Sequence, residues 1–579
     1  MGKRIRSVAL LAALACGWTQ AGGATSPAKA TIIVTNARAY TVDAKQPWAE
    51  AIAINGDRIL AVGPKQMVEA FRNEKTRMID AHGNLVLPGF TDSHIHLLEG
   101  SLTLTQVDLN GTTSIAEVQK RVKEFAAAHP HTKWITGRGW SYEIFGEAAL
   151  PDKKFLDEVV PDRPVYLVGY DGHTSWANSK ALAEAGVTRD TPNPASGWIV
   201  KDAKGEPTGA MKESADDLIG NKVEATREER LTALRLGLRE ANRAGLVRVI
   251  CLGNSIHLVD DGSNFPLYEE LLKSGELTLR MYVSSYEGPP AMTPAQLAAV
   301  VAAKQKYHGD WLAAGAVKFY LDGVIESHTA AMLTPYSDDP KQIGALRWDE
   351  GEYKRAVTAL DRSGIQVFTH AIGDRAVRLA LDTYEEAAKA NGTHDMRHRI
   401  EHIETITAQD IPRFGKLGVI ASYQPLHAEP NDDTLKVWAR NAGPDRAGRG
   451  WTWQSVAKSG GRLAFGSDWP VVTLSPWYGV QNAVTRQTLE GKPEGGWLPQ
   501  ERVSLEQAIE GYTLGAAYSG HREASEGSLE PGKLADLIVL DQNLFKIAPS
   551  EIHKTNILLT MVGGRIVYQT PEMATGSGK

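Results

Sequence analysis

Eight short apolar runs, each later one set off from the next by helix-compatible sequence, constrain this chain more than any other feature. They are the run ending at His96, then Leu246–Leu252, Leu279–Val283, Ala316–Tyr320, Ile365–His370, His398–His402, Val419–Ser422 and Leu463–Asp468. Strands that alternate with helices lie parallel, and eight such units close into a (β/α)8 TIM-like barrel of the α/β class. One helix announces its own start. Thr226 is followed three residues later by Glu229, the capping-box spacing, and the helix stops near Gly245, directly before a strand.

Three regions stand outside the repeat. Residues 31–85 and 521–570 read as short strands. Asn55-Gly56 joins Ala51–Ile54 to Arg58–Val62, a strong hairpin signal, and Gly563-Gly564 separates two further strand-like runs. Both chain ends are therefore expected to fold together into one small β-sandwich. The first barrel strand takes residues 86–99 and the rest of the barrel 226–520. Residues 100–225 are too long for a simple connection and are expected to form an inserted lid, with a strand of its own at Pro164–Val168.

Composition narrows the function. A hydrophobic content of 42% and a charged content of 23% belong to a soluble globular protein. The net charge of -6 is small, and no basic stripe interleaves with aromatic residues, which argues against nucleic acid as a partner. At the N-terminus Lys3, Arg4 and Arg6 precede the apolar run Ser7–Cys16 and then small residues. Residues 1–21 thus read as a secretory signal, and the mature protein is expected in the periplasm or outside the cell. Cys16-Gly17 offers the alternative of a lipidated cysteine, although Ala13 stands where lipoboxes usually carry Leu. No later stretch has the ~18 unbroken apolar residues a membrane helix needs. Signal cleavage leaves Cys251 as the one cysteine, so the mature chain can form no intramolecular disulfide.

Barrel enzymes carry their chemistry where strands end, at the C-terminal face. Here those ends offer His94, His96, Lys318, His370, His402 and Asp468. His94 and His96 lie two apart, so both imidazoles project from one face of a strand. Neutral imidazoles and a carboxylate suit a divalent metal such as zinc. A bare ammonium inside a barrel is costly. Lys318 is therefore either a ligand, after conversion to a carbamate or deprotonation, or the ion-pair partner of a neighbour such as Asp322. In the insertion, Arg138, Trp140, Asp171, His173, Trp176 and Asn178 supply further binding groups.

At this point the sequence resembles a known family. Pro88-Gly89-Phe90-Thr91-Asp92-Ser93-His94-Ile95-His96, His370, Glu401-His402 and Gly466-Ser467-Asp468 resemble the signature of the amidohydrolase superfamily. Asp171–Ser179, Val317–Gly323 and Gly527–Asp536 are similar to the amidohydrolase-3 branch, which includes N-substituted formamide deformylases and YtcJ-type proteins. The resemblance implies that His94 and His96 hold one metal and His370 and His402 a second, with carboxylated Lys318 bridging them. It implies that Asp468 touches metal, takes a proton from the attacking water and hands it to the leaving nitrogen. Metal binding brings a water's pKa towards neutrality and polarises the substrate carbonyl.

Candidate substrate-binding residues are Arg138, His173, Trp176, Asn178, Asp322, His328 and Gln424. One departure bears on specificity. Such families commonly read Ser-Leu-Gly-Ser-Arg-Thr-Ala after Asp322-Gly323, whereas here Val324–Ala330 places His328 where the guanidinium stands. The expected activity is metal-dependent hydrolysis of a non-peptide carbon–nitrogen bond in a small N-formyl or N-acyl amide, by the chain alone or as a homodimer. Two alternatives stand beside it: a cyclic amidase or dipeptidase-like hydrolase with the same metal site, and a non-catalytic binding protein on the same barrel. The retained Asp468 argues against the last, because a metal can be held without it.

Overall fold

The computed structural model describes residues 28–575 except 131, 146–149, 170–173, 195–196, 214, 224 and 255–263. The secretory-signal segment and His173 therefore lie outside the described residues. Among those described, no helix is long and apolar enough to cross a membrane.

The eight expected strands form one sheet in sequence order. They are Phe90–Ile95, Leu246–Asn254, Arg280–Glu287, Leu312–Tyr320, Gln366–Ala371, Arg399–His402, Ile420–Tyr423 and Arg462–Phe465, and every neighbouring pair is parallel. Residues just past the eighth strand return to the first and nearly close the barrel. The Asp468 amide donates to the His94 carbonyl at 2.7 Å, and the His96 amide to the Trp469 carbonyl at 2.9 Å. The Asp92 carboxylate tightens this seam, accepting from the amides of both His94 and Ser467 at 3.0 Å. The strand interiors are β-branched and apolar because a parallel sheet under helices is buried on both faces. Amphipathic helices such as Arg227–Arg243, which starts on the Thr226–Glu229 capping box, cover its outside.

Both chain ends build a β-sandwich. A four-stranded sheet takes Ile32–Thr35, Ala51–Asn55, Arg58–Gly63 and Arg77–Asp80. A six-stranded sheet takes Arg38–Tyr40, Trp48–Ala49 and Leu85–Pro88 from the N-terminal end, and Leu537–Leu540, Ile557–Val562 and Arg565–Gln569 from the C-terminal end. Val34, Ile52, Val86, Leu537, Val539 and Met561 meet in their shared core. Leu85–Pro88 runs directly into the first barrel strand, so sandwich and barrel are joined where His94 and His96 are set.

The segment between the first and second barrel strands is more elaborate than its sequence indicates. It folds around a mixed six-stranded sheet, of which the expected strand is one, at Val165–Gly169. Its neighbour Ile135–Trp140 reads poorly as a strand because it carries Gly137 and Gly139. Gly137 is required by close packing: a Cβ there would lie 2.9 Å from Val107 and Leu167 atoms.

Candidate metal centre

The His94 side chain is wholly buried, and its two ring nitrogens have different tasks. Nδ1 lies 2.7 Å from the Glu401 carboxylate. Burial alone would raise the Glu401 pKa, but the Arg399 guanidinium and His94 hold it well below the usual carboxylate range. An ionised carboxylate only accepts, so Nδ1 carries the proton and Nε2 presents a lone pair. Arg399 fixes the carboxylate with two bonds, at 2.8 and 2.9 Å, and donates to the Ser93 carbonyl and the Ser422 hydroxyl. This is the arrangement in which a second residue orients a metal-ligating histidine.

Asp468 gathers the strand ends. Its Oδ1 lies 3.3 Å from His94 Nε2 and 3.2 Å from His96 Nε2, and its Oδ2 lies 3.8 Å from His427 Nε2. Burial opposes its ionised form, yet the nearby imidazoles hold its pKa well below the ordinary value. Ligand atoms of His94, His402 and Asp468 all lie within 4.8 Å of one another. His402 and Asp468 both adopt positive φ, 75° and 63°, a strained conformation for residues with a Cβ that is concentrated at functional sites.

His370 joins through His402, the two rings lying 4.6 Å apart at their centroids. Its Nε2 lies 3.2 Å from the Gly323 carbonyl, which can only accept, so Nδ1 holds the lone pair. Burial, with Lys318 adding to it, pushes the His370 imidazole down to about 3, and burial takes His402 well below its usual value. Both rings are therefore neutral at physiological pH. Lys318 is wholly buried; its Nζ has no hydrogen-bond partner and lies 4.9 Å from the Tyr320 ring centre. Burial lowers its pKa to about 8, against the opposing pull of Glu401 and Asp468.

Asp322 is not the partner of Lys318. Its carboxylate accepts from the backbone amides of Ala331, Ile372 and Gly373 at 2.8–3.1 Å. Burial raises its pKa to about 7 in spite of those bonds. It ties the loop after the fourth strand to the end of the fifth, which leaves it little capacity to hold substrate. Trp176 and Asn178 are likewise committed. The Trp176 indole donates to the Asp152 carbonyl at 3.0 Å inside the core of the inserted sheet. Asn178 caps the helix Ser179–Ala185, accepts from the Val165 amide and donates to the Val160 and Arg163 carbonyls. Every hydrogen-bonding group of these two side chains is used within the insertion.

His328 lies in the loop after the fourth strand, with Nε2 2.9 Å from Asp338. Arg138 lines a cleft of about 1320 Å³ between the inserted sheet, the segment after Asp468 and the C-terminal part of the sandwich. None of the six candidate ligands lines that cleft. Gln424, by contrast, follows the seventh strand directly and is buried, with neither amide atom partnered.

Three residues at this centre were not assigned a role from sequence. Glu401 and Arg399 sit on the sixth strand beside His402, and alternation alone places Glu401 inward two residues from Arg399. His427 stands beyond the seventh strand on a short 3-10 turn, Pro425–Ala428, where no strand periodicity points to it.

A divalent ion fits this donor set. His94 Nε2, His370 Nδ1, His402 Nδ1, Lys318 Nζ and Asp468 Oδ1 are all buried without a hydrogen-bond partner. A buried polar atom left unpaired costs about 1–3 kcal/mol, so five such atoms at one barrel end mark a place built to receive something.

A parallel eight-stranded barrel with a His–His–carboxylate cluster at the strand ends is an arrangement that could hold a divalent ion beside a proton-accepting carboxylate. The amidohydrolase-3 model of the amidohydrolase family matches residues 77–568, and the chain belongs to that family. It is 30% identical over 535 residues to the putative amidohydrolase YtcJ of Bacillus subtilis, covering 92% of this chain and 98% of that one. It is 26% identical to the N-substituted formamide deformylase of Arthrobacter pascens, covering 93% and 98%. Among solved structures it is similar to an uncharacterized metal-dependent hydrolase from Pyrococcus horikoshii, with a TM-score of 0.75, 25% identity and coverage of 90% and 99%.

Proposed function

We propose that this protein hydrolyses a carbon–nitrogen bond in a small non-peptide amide, with N-formyl and N-acyl compounds as the substrate class. The convergence of ligand atoms from His94, His402 and Asp468, with the His370 and Lys318 nitrogens also buried and unpartnered at the strand ends, carries the reading. Similarity to a formamide deformylase supports the acyl class.

His94 through Nε2, His96, His370 through Nδ1, His402 and Asp468 would hold one or two divalent ions, zinc among the best suited to imidazole and carboxylate. Such an ion supplies Lewis acidity, acidifying water and polarising a carbonyl. The chain's own groups do the rest. Glu401 and Arg399 keep the His94 lone pair aimed at the centre. Asp468, ionised and beside two imidazoles, accepts the proton of the attacking water. As the carbon–oxygen bond forms and the carbon–nitrogen bond breaks, the same carboxyl returns that proton to the leaving nitrogen.

Lys318 fits the same scheme as a carbamate. A lysine whose pKa burial lowers to about 8 is partly neutral at working pH, and only the neutral amine adds to carbon dioxide. The nitrogen bonds the carbon of carbon dioxide and gives up one proton to solvent, which leaves an anionic oxygen donor in place of an isolated ammonium. The inserted segment, which leaves the barrel right after His96, serves as lid in this reading. Export rests on Lys3, Arg4 and Arg6 ahead of an apolar run.

Replacing Asp468 with Asn tests the assignment. Hydrolysis of N-formyl and N-acyl amides should fall at least about a thousandfold with bound metal retained in part. Undiminished turnover would remove Asp468 from the chemistry.

A further inference from the structure

Gln424 and His427 present three polar atoms that neither the metal scheme nor the fold uses. The Gln424 side chain is 1% exposed, and both its Oε1 and its Nε2 lack a protein partner; so does His427 Nε2. An amide is a poor competitor for a metal beside imidazoles and a carboxylate, so the ion does not account for Gln424.

Alternation fixes where Gln424 points. Ser422 faces the barrel interior, because its hydroxyl accepts from Arg399 within the Glu401–His94 network. Tyr423 faces outward, stacking edge-on against Trp453. Gln424 is thus turned inward again, one layer above Ser422 and towards the mouth. It also caps the 3-10 turn Pro425–Ala428, which carries His427 one turn further on. His427 faces the centre: its Nε2 lies 3.8 Å from Asp468, and its ring stacks parallel to His402 at 5.9 Å. The turn is held from outside. The His427 amide donates to the Gln424 carbonyl at 3.0 Å, and Asn482 Nδ2 donates to the Pro425 carbonyl at 2.6 Å.

We propose that Gln424 and His427 form a rigid subsite for the amide edge of the substrate, with Gln424 pairing to a carbonyl and an N–H on the same side of one ligand. A carboxamide satisfies both of its atoms at once only against adjacent donor and acceptor groups. That geometry belongs to amides held cis: lactams, imides, ureides and formamides in their cis form. A trans N-acyl amide presents its N–H and carbonyl on opposite edges and satisfies one atom only. The inference rests on the amide-hydrolase reading and selects within it, favouring cis-amide substrates over extended N-acyl chains.

The test is a binding comparison that does not depend on turnover. 2-Piperidone, a cis-locked lactam, and its N-methyl analogue are titrated against metal-loaded protein by ligand-observed NMR. The expected result is at least about a tenfold preference for the N–H lactam, lost in Gln424→Met with metal content unchanged, since a site built to hydrogen-bond rejects the analogue that cannot. Should Gln424→Met fold poorly, Gln424→Leu is a second apolar replacement that can neither accept from the lactam N–H nor donate to its carbonyl, and should lose the preference too. Equal or absent binding of the two lactams to the unaltered protein overturns the proposal, as does a preference that survives either variant. Failure of the hydrolase reading is seen separately, as hydrolysis of no N-formyl, N-acyl or cyclic amide by the metal-loaded protein.

Discussion

The two ends of the barrel treat buried charge in opposite ways. At the floor, towards the sandwich, Arg248 on the second strand makes a double bond pair with Glu526, and Arg280 at the start of the third does so with Asp536. Asp536 also accepts the Gly563 amide at 2.6 Å, and Arg248 Nη1 is the one fully buried polar atom of these four side chains left without a partner. At the mouth, His94, His370, His402, Lys318, Asp468 and Gln424 each bury a polar atom with no partner. Both ends are equally sealed from water, so burial does not explain the difference. The floor pairs each charge with its opposite as folded, leaving only Arg248 Nη1 over, and latches barrel to sandwich through chain-end residues. The mouth is complete only with a ligand, and its incompleteness opposes folding while serving chemistry.

That contrast yields ordered expectations. The largest effect belongs to the mouth: Asp468→Asn should lower kcat/KM at least about a thousandfold while the melting temperature holds or rises, measured by amide hydrolysis and calorimetry. Glu401→Gln should act through His94 rather than on substrate. Metal affinity is expected to drop about 10–100-fold, read by competition with a chelator, and an unchanged affinity would strip Glu401 of its orienting role. Lys318→Ala should lose activity that an added short carboxylate restores in part, whereas Lys318→Arg should not recover, because a guanidinium stays cationic. At the floor the readouts exchange places. Glu526→Gln leaves Arg248 buried without a matching charge and should cost roughly 3–5 kcal/mol of stability with bound metal and kcat unaltered. A floor variant that lost metal before it lost stability would break the comparison. The smallest effect is on the mature N-terminus: intact mass should show cleavage near Ala21, and soluble cytoplasmic protein retaining residues 1–21 would contradict export.

Much of this was legible in sequence where one residue has one job. The barrel strands announced themselves because burial on both faces forces continuous apolar runs. His94 and His96 were readable because strand alternation fixes their common face. Asp322 and Asn178 misled for the opposite reason. A buried Asp or Asn that ties down backbone amides looks, in sequence, like one awaiting a ligand, and only the bonded partners tell them apart. Trp176 belongs with them, its indole spent on a carbonyl inside the inserted sheet. That sheet was itself under-read because glycines in Ile135–Trp140 dilute the strand pattern. His427 escaped because a 3-10 turn, not a strand, carries it to Asp468.

The account stands on the claim that the mouth is a metal centre. Metal content of the purified protein, measured by inductively coupled plasma mass spectrometry alongside amide hydrolysis before and after chelation, tests it most directly. One or two divalent ions per chain are expected, lost together with activity on chelation and regained together on re-addition. Full hydrolysis by metal-free protein would contradict it.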